Sequence, residues 1–442
     1  MKNDFRQKLH LEPFNGWLND PNGLCFFGGK YHVYFQYCPQ DAYGKGEKCW
    51  GHFESPDLTN WTFKGVAICP DSPDDRSGAY SGCGIVVGNT LHIFYTGNVK
   101  KDGDYDYINS GREANVIHLT TKDGQNMSEK VTVLRNSDYP DYCSCHVRDP
   151  KVWEENGIYY MVLGARTRDG KGCVLYYSSN NLSDWTFEKS ETLKDFGYMW
   201  ECPDVIDISG KKILSFSPQG MNHGDFSHQN IYSSGYLNNG EFIEWDYGFD
   251  FYAPQTFTAP DGRKLLIGWM GIGDIPYFNP TANFGWQHCL TLPRELSLGK
   301  NGEIFQRPVS EIDFLRQDSI EITEKKSIHA ELPFELIGNA NEDFLLKTDF
   351  LKMSFNSGVF SLEFSDMAVS GERTIRRVKL GTLKNIRLLA DTSSIEIYLN
   401  DGERVMSSRF YPKDTETDFS IKGFSGKLYR LKGLNVTKGA EK

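Results

Sequence analysis

Apolar residues in this chain occur in short runs that end at glycine, asparagine or aspartate. Runs with the spacing of an amphipathic helix are scarce, whereas short apolar and aromatic runs recur throughout. Such runs, bounded by turn residues, are typical of strands, so the pattern predicts a mostly β protein. The clearest predicted strands each follow a turn signal such as Gly28-Gly29, and they cover residues 31–37, 91–96, 158–163, 213–216 and 264–269.

The five predicted strands begin at intervals of roughly 50 to 70 residues, a spacing that suits one propeller blade with its loops. An internal repeat also supports a propeller. Residues 55–63 and 179–187 share five identities in nine positions, at an offset of 124 residues. That offset is about two blades. We therefore predict a propeller of about five blades that ends near residue 300.

The pattern changes in the last third of the chain, where the strands become longer alternating runs. The clearest is residues 395–399, followed by Asn400-Asp401-Gly402 and a second alternating run over residues 404–410. A turn of this composition between two alternating runs predicts a β-hairpin. The full prediction is an all-β protein with a five-bladed β-propeller over residues 1–305 and a C-terminal antiparallel β-sandwich over residues 306–442.

The charge balance narrows the class of partner. The 442 residues include 48 Lys and Arg against 59 Asp and Glu, a net charge of −11. No basic cluster stands out, so neither nucleic acid nor an anionic membrane is expected as a partner. No segment approaches the ~20 consecutive apolar residues of a membrane span.

The N-terminus and the cysteines bear on the compartment. The first ten residues carry four charges and no apolar stretch of the kind found in signal peptides, so we expect a cytoplasmic protein whose ten cysteines are reduced. Cys143 and Cys145 form a C-x-C pair, but no second pair stands at zinc spacing. We therefore expect no metal and no cofactor. The sequence leaves open whether the protein is a monomer or a homodimer.

Asp20 is the first candidate for chemistry. It lies in Asn19-Asp20-Pro21-Asn22-Gly23, where the proline biases Asp20 to extended backbone and the Asn-Gly pair favours a reversal. A carboxylate held in this way near the start of a strand can point into a central cavity. Taken alone, this motif is more often an ordinary turn.

Two further acids have contrasting surroundings. Asp149 stands between Arg148 and Pro150, and a neighbouring guanidinium would keep the carboxylate ionised. Glu201 stands between Trp200 and Cys202, where apolar surroundings would raise its pKa. A surface ion pair and a satisfied buried glutamate are the competing interpretations. One ionised and one protonated carboxyl, about 5 to 5.5 Å apart, are what a retaining glycosidase needs.

The stretch from residue 10 to residue 23 resembles, position for position, the signature of glycoside hydrolase family 32, the group of invertases, sucrose-6-phosphate hydrolases and fructanases. Arg148-Asp149-Pro150 and Glu201-Cys202 are similar to the two other hallmark motifs of that family, in the same order. Residues 250–255 and 292–296 agree with the family as well. The resemblance covers nearly the whole chain.

The resemblance implies retaining hydrolysis of a terminal β-D-fructofuranoside such as sucrose or sucrose 6-phosphate. It implies Asp20 as nucleophile, Glu201 as acid/base and Asp149 as stabiliser of the transition state through the fructose hydroxyls. The matching positions also imply a fructose pocket, lined by Asn19, Gln36, Trp50, Tyr80, Ser81, Arg148 and Trp286. For the two tryptophans, packing in the core is the alternative.

Three other functions are alternatives to the hydrolysis of sucrose or its phosphate. Exo-action on short fructans, or fructosyl transfer, would share the covalent intermediate and differ only in substrate or acceptor. A non-catalytic sugar-binding propeller should have lost at least one acid, and all three are present. An inverting glycosidase acting on arabinans should lack the pattern at residues 10–23, with carboxyls about 6.5 to 9.5 Å apart.

Overall fold

The computed structural model describes residues 3–323 and 326–439, and the described chain is almost entirely β-strand. Up to residue 308 the strands are, in chain order, β1 (Gly16–Phe27), β2 (Lys30–Cys38), β3 (Cys49–Ser55), β4 (Asn60–Ile68), β5 (Ala79–Val87), β6 (Thr90–Lys100), β7 (Arg112–Thr121), β8 (Val131–Leu134), β9 (Cys143–Glu155), β10 (Ile158–Thr167), β11 (Gly172–Ser179), β12 (Thr186–Glu191), β13 (Met199–Ile208), β14 (Lys211–Gln219), β15 (Gly235–Asn238), β16 (Glu241–Glu244), β17 (Tyr252–Thr258), β18 (Lys264–Met270), β19 (Trp286–Gln287), β20 (Cys289–Leu290), β21 (Arg294–Leu298) and β22 (Ile304–Pro308).

Within the described ranges these strands form five sheets that follow one another along the chain. The sheets begin at β1, β5, β9, β13 and β17, and their main strands pair antiparallel in chain order, while β19 joins the first sheet in parallel with β1. Adjacent sheets pack face to face: Phe94 of the second sheet and Leu163 and Leu175 of the third belong to one buried cluster. The arrangement is propeller-like.

The five strands predicted from the sequence are confirmed, and they share one place in the architecture. They are β2, β6, β10, β14 and β18, the second strand of each successive sheet. A second strand has a neighbour on both edges and a sheet packed on each face, so nearly all of its side chains are buried, as in β2 and β18. This explains why these strands had the strongest apolar signal.

The internal repeat also has a structural basis. Residues 55–63 connect β3 to β4 and residues 179–187 connect β11 to β12, the same turn in the first and third sheets. In both turns a serine hydroxyl accepts the N–H of a leucine three residues on, at 2.8 Å for Ser55 and 3.0 Å for Ser179. The offset of 124 residues in the sequence is therefore two sheets.

The C-terminal part is one ten-stranded sheet with a short helix. Its elements are β23 (Arg316–Thr323), β24 (Lys326–Glu331), β25 (Phe334–Lys347), β26 (Leu351–Asn356), β27 (Val359–Phe364), α1 (Met367–Ser370), β28 (Ile375–Lys379), β29 (Asn385–Ala390), β30 (Ser394–Leu399), β31 (Arg404–Arg409) and β32 (Glu416–Leu431). The long β25 pairs with β26, β29 and β32, so the sheet folds over a shared core that includes Leu336, Phe360 and Ile397. The result is sandwich-like, and the predicted hairpin is confirmed as β30 and β31.

A strand and a buried ion network are among the connections that tie the C-terminal part to the first. A last strand, β33 (Asn435–Lys438), returns to pair in parallel with β4. His10 is buried between Asp391 at 2.9 Å and Glu396 at 3.0 Å, and Glu396 also binds Arg294 at 2.8 Å. The division at residue 305 stays a prediction. None of the described helices is long and apolar enough to cross a membrane.

The ion network around His10 shifts the pKa of its members. Burial alone lowers the pKa of His10, but its hydrogen bonds to Asp391 and Glu396 outweigh this and raise the pKa to about 9. Burial likewise opposes the charge on Glu396, yet Arg294 and His10 hold its pKa at about 2. The network therefore joins the N-terminal segment to the C-terminal sheet through charges that persist near neutral pH.

Candidate active site

The first strands of the five sheets run side by side and line a cavity of about 360 Å³. All three predicted carboxylates face it, since Asp20, Asp149 and Glu201 are among its lining residues. A larger cavity of about 510 Å³ lies further along the same five strands, and none of the predicted site residues lines it. The chemistry-bearing side chains therefore gather at one end of the central passage.

A repeated irregularity in the strands places these side chains. In each sheet the pairing of the first strand with the second is interrupted by one extra residue on the first strand. The interruptions fall at Asn19–Asp20, Tyr80–Ser81, Asp149–Pro150, Cys202–Pro203 and Ala253–Pro254. Such a bulge bends the strand and redirects side chains, and here it turns one or two residues of every sheet into the same cavity.

Asp20 is buried, with only 3% of its surface exposed. Asn22 Nδ2 donates to its Oδ2 at 3.1 Å, Ser81 donates a second hydrogen bond, and the Cys202 thiol lies 4.0 Å from Oδ2. Burial raises the pKa of the Asp20 carboxyl to about 7; Asp149 adds to the shift, and the Ser81 and Asn22 hydrogen bonds oppose it. The carboxyl therefore titrates near neutral pH rather than in acid.

Asp149 is also buried and takes a left-handed backbone conformation with φ of 63°. Its amide donates to Thr96 Oγ1 at 2.8 Å, and its Oδ2 accepts the Cys202 N–H at 2.9 Å. Burial raises the pKa of Asp149 to about 6 even though the Arg148 guanidinium, 3.8 Å away, lowers it. The Arg148 guanidinium therefore favours the ionised form of Asp149, as expected, but desolvation outweighs this effect on the pKa.

Glu201 contacts three polar groups. Arg148 pairs with its Oε1, while Oε2 accepts hydrogen bonds from Tyr252 at 2.7 Å and Gln219 at 2.8 Å. The expectation of apolar surroundings is therefore wrong. Its neighbours in sequence, Trp200 and Cys202, are buried, but the Glu201 side chain lies in the cavity and contacts these polar groups.

The other predicted pocket residues fall into two groups. Asn19, Gln36, Tyr80, Ser81 and Arg148 line the cavity, and Asn19 Nδ2 donates to Gln36 Oε1 at 3.1 Å.

Trp50 and Trp286 are placed differently: both are fully buried and neither is among the lining residues. Trp50 donates from its indole to the Tyr80 carbonyl at 2.9 Å, and Trp286 lies under the Arg6 guanidinium, 4.4 Å from its ring centre. For these two the packing alternative describes the observed position, because both rings are buried outside the cavity lining.

Several lining residues were not anticipated from the sequence, among them Arg112, His146, Gln219, Tyr252 and Trp269. Tyr252 carries a signal that could have found it, because it precedes Ala253-Pro254 as Arg148 precedes Asp149-Pro150. Gln219, at the end of β14, and Trp269, in β18, have no such signal. In the part of the chain that the structure describes, no group of His, Cys, Asp or Glu has the arrangement to hold a metal ion.

Comparison with known proteins decides the family. A model described as "Glycosyl hydrolases family 32 N-terminal domain" matches residues 10–308, and one described as "Glycosyl hydrolases family 32 C terminal" matches residues 349–438. The chain belongs to glycosyl hydrolase family 32. Membership of this family makes it a glycoside hydrolase, and the resemblance seen in the sequence is confirmed.

Relatives of this family 32 enzyme extend over most of its length. It is 36% identical over 447 residues to the sucrose-6-phosphate hydrolase of Bacillus subtilis, covering 92% of this chain and 89% of the relative. It is 34% identical over 444 residues to the raffinose invertase of Escherichia coli, covering 93% and 91%.

Solved structures of family 32 proteins superpose on this chain. The sucrose-6-phosphate hydrolase from Lactobacillus gasseri gives a TM-score of 0.87 at 29% identity, covering 98% of this chain and 94% of that one. A β-fructofuranosidase mutant from Bombyx mori in complex with sucrose gives 0.84 at 29% identity, covering 98% and 95%.

Proposed function

We propose that this family 32 enzyme hydrolyses the fructosyl bond of sucrose or sucrose 6-phosphate with retention, through a covalent fructosyl–Asp20 intermediate. The observation that carries the proposal is the meeting of Asp20, Asp149 and Glu201, from three different sheets, in one cavity. The names of the relatives, sucrose-6-phosphate hydrolase and raffinose invertase, support the substrate class.

In the first step Asp20 attacks the anomeric carbon of the fructosyl unit while Glu201 gives its proton to the leaving oxygen. The groups around Glu201 favour this transfer. Arg148, Gln219 and Tyr252 all donate toward its carboxylate, so they stabilise the anion that remains once the proton has left. Glu201 then acts as base for the water that releases fructose from Asp20.

Asp149 holds the fructosyl unit through its hydroxyls. Its position is fixed from two sides by Thr96 and by the Cys202 amide, so its carboxylate is pre-oriented rather than free. Hydrogen bonds that tighten as oxocarbenium character develops lower the barrier more than they strengthen ground-state binding. Asn19, Gln36, Tyr80 and Ser81 complete the fructose pocket in this proposal.

The proposal extends to the architecture and the compartment. The five sheets are taken as five propeller blades around the cavity, with a boundary to the sandwich just after β22. A cytoplasmic location is supported by the ten cysteines, all of them free thiols, since exported proteins tend to pair theirs.

The test compares kcat/KM for sucrose, sucrose 6-phosphate, kestose and inulin, with Asp20→Asn as the inactive reference. Fructose release from sucrose or its phosphate at rates well above those for inulin supports the proposal. Preference for kestose or inulin would instead identify an exo-fructanase, and growth of oligosaccharides at high sucrose a fructosyltransferase. Near-normal turnover by Asp20→Asn excludes Asp20 as the nucleophile.

A further inference from the structure

A group of basic side chains lies beside the acid/base end of the cavity. Arg112 and His146 line the cavity next to Arg148, the arginine that pairs with Glu201. Arg166, on β10, is not among the lining residues, but it follows Ala165, which pairs with Val147 next to His146. The Arg148 guanidinium contacts the His146 ring, and burial together with the charges of Arg148, Arg112 and Arg166 lowers the His146 pKa to about 3.

Two of these arginines have no acidic partner. Among the described residues neither Arg112 nor Arg166 forms an ion pair, and the Nε of each is buried without a hydrogen bond. Arg112 reaches only Asn98 Oδ1, at 3.3 Å, and Arg166 stacks over the Tyr198 ring at 4.8 Å. A partly buried guanidinium with unused donors is costly, so the position favours an incoming anion.

Arginines committed to the fold of this chain are paired differently. Arg294 and Arg373 are fully buried, and each binds a carboxylate at 2.7 to 3.0 Å. Lys48 also lines the cavity, but its ammonium donates to the carbonyls of Gly44 and Gly46 and so serves the loop that carries it. Arg112 and Arg166 are therefore the cations at this site with donors to spare.

The basic group lies on the leaving-group side of the chemistry. It connects to Glu201, which protonates the leaving oxygen, through Arg148 and His146. The partners of Asp20 are a separate set, Asn22, Ser81 and Cys202. An anion held by the basic group would thus be attached to the departing sugar and not to the fructosyl unit.

We propose that Arg112 and Arg166, grouped around His146, bind the phosphate of a sugar phosphate leaving group, so that the enzyme prefers sucrose 6-phosphate to sucrose. This inference rests on the proposed function. The planar guanidinium donors match two phosphate oxygens at once, and the dianion compensates charges that the fold leaves unpaired. The sugar phosphate leaves with the proton from Glu201, and its phosphate ester bond is not touched.

The experiment measures the ratio of kcat/KM for sucrose 6-phosphate to that for sucrose, in the wild type and in Arg112→Gln and Arg166→Gln. Each substitution removes charge-assisted hydrogen bonds, so each is expected to lower the ratio by about 10- to 100-fold. Arg112→Lys should retain part of the ratio, because it keeps the charge without the fork. The matched control is Arg168→Gln, an exposed arginine two residues beyond Arg166, which should leave the ratio unchanged.

A second readout identifies the source of the phosphate. Glucose 6-phosphate should inhibit sucrose hydrolysis by the wild type competitively and at lower concentration than either glucose or inorganic phosphate. This advantage should disappear in the double variant Arg112→Gln/Arg166→Gln. Inhibition by inorganic phosphate that is as strong as inhibition by glucose 6-phosphate would contradict a substrate subsite.

Failure of this inference is distinguishable from failure of the proposed function. If the wild type cleaves sucrose but shows no preference for its 6-phosphate, the inference is wrong and the function stands. The inference is also wrong if the variants lose activity on both sugars equally, since that indicates a structural role. If the folded wild type cleaves neither sugar, the proposed function fails and this inference fails with it.

Discussion

Asp20→Asn is expected to abolish turnover and at the same time to stabilise the fold. The carboxyl of Asp20 is buried among few donors, and its pKa rises from 3.8 to about 7. At 1.36 kcal/mol for each pH unit, ionising this group in the folded protein costs about 4 kcal/mol relative to the unfolded chain. A neutral, nearly isosteric asparagine avoids that cost.

The stabilisation by Asp20→Asn should depend on pH. Between pH 3.8 and about 7 the folded state binds the Asp20 proton more tightly than the unfolded state does, so the stability of the wild type falls as the pH rises through this window. The stability gained by Asp20→Asn should therefore be near zero at pH 4 and full at pH 8. For a chain of 442 residues, about 4 kcal/mol corresponds to a rise in Tm of about 4 °C.

The assay is thermal unfolding of the wild type and Asp20→Asn at pH 4 and pH 8, with sucrose turnover measured on the same samples. Asp102→Asn is the control, because Asp102 is exposed in the loop between β6 and β7 and its replacement should change stability by less than about 0.5 kcal/mol. A Tm at pH 8 that stays the same or falls in Asp20→Asn would refute the electrostatic reasoning. Retained turnover would refute the chemical role.

Three further predictions follow from the same geometry. The kcat/KM for sucrose should fall as the pH drops through about 7, where Asp20 takes up a proton, and a midpoint below pH 5 contradicts the assignment. Ser81→Ala should raise the midpoint of this fall by about one pH unit, because a hydrogen bond to the carboxylate is lost. His10→Ala should lower the Tm more than the exposed control His329→Ala. This difference in Tm should be largest below pH 6.5 and shrink as the pH rises through about 9, the raised pKa of His10. An equal difference at pH 6 and pH 9.5 argues against a role for charge. Glu201→Ala should lower sucrose turnover by about 10²- to 10⁴-fold, and azide should restore part of it because azide attacks the fructosyl intermediate without a base; indifference to azide argues against the acid/base role.

The sequence predicted strands best where they are buried on both faces. The second strands of the sheets were found because the fold buries their central residues on both faces, and the last hairpin because its turn residues are specific. Strands at the outer edges of the sheets were not predicted from the sequence. Thr186–Glu191 is almost fully exposed and carries no apolar alternation, since only one edge and one face of such a strand meet the protein.

The acids of the site could be located from the sequence, but their ionisation could not. A charged residue before proline marks Asp20 and Asp149, and this signal is local. Their pKa values depend on partners from other sheets, as does the environment of Glu201, which Tyr252 reaches from 51 positions away. Neighbours in sequence therefore give an incomplete description of these environments, since Arg148 pairs with Glu201 as well as with the adjacent Asp149.

The extra residue in the first strand of each sheet separates the part of the strand that supports the fold from the part that lines the active site. On either side of it the first strand pairs with the second again, so these segments carry the architecture, while Asp20 and Asp149 lie at bulged positions and Glu201 directly precedes one. A collection of variants confined to these bulged positions would therefore sample new pocket chemistries on an unchanged scaffold. The same division gives natural selection five equivalent sites at which catalytic function can change while the framework persists.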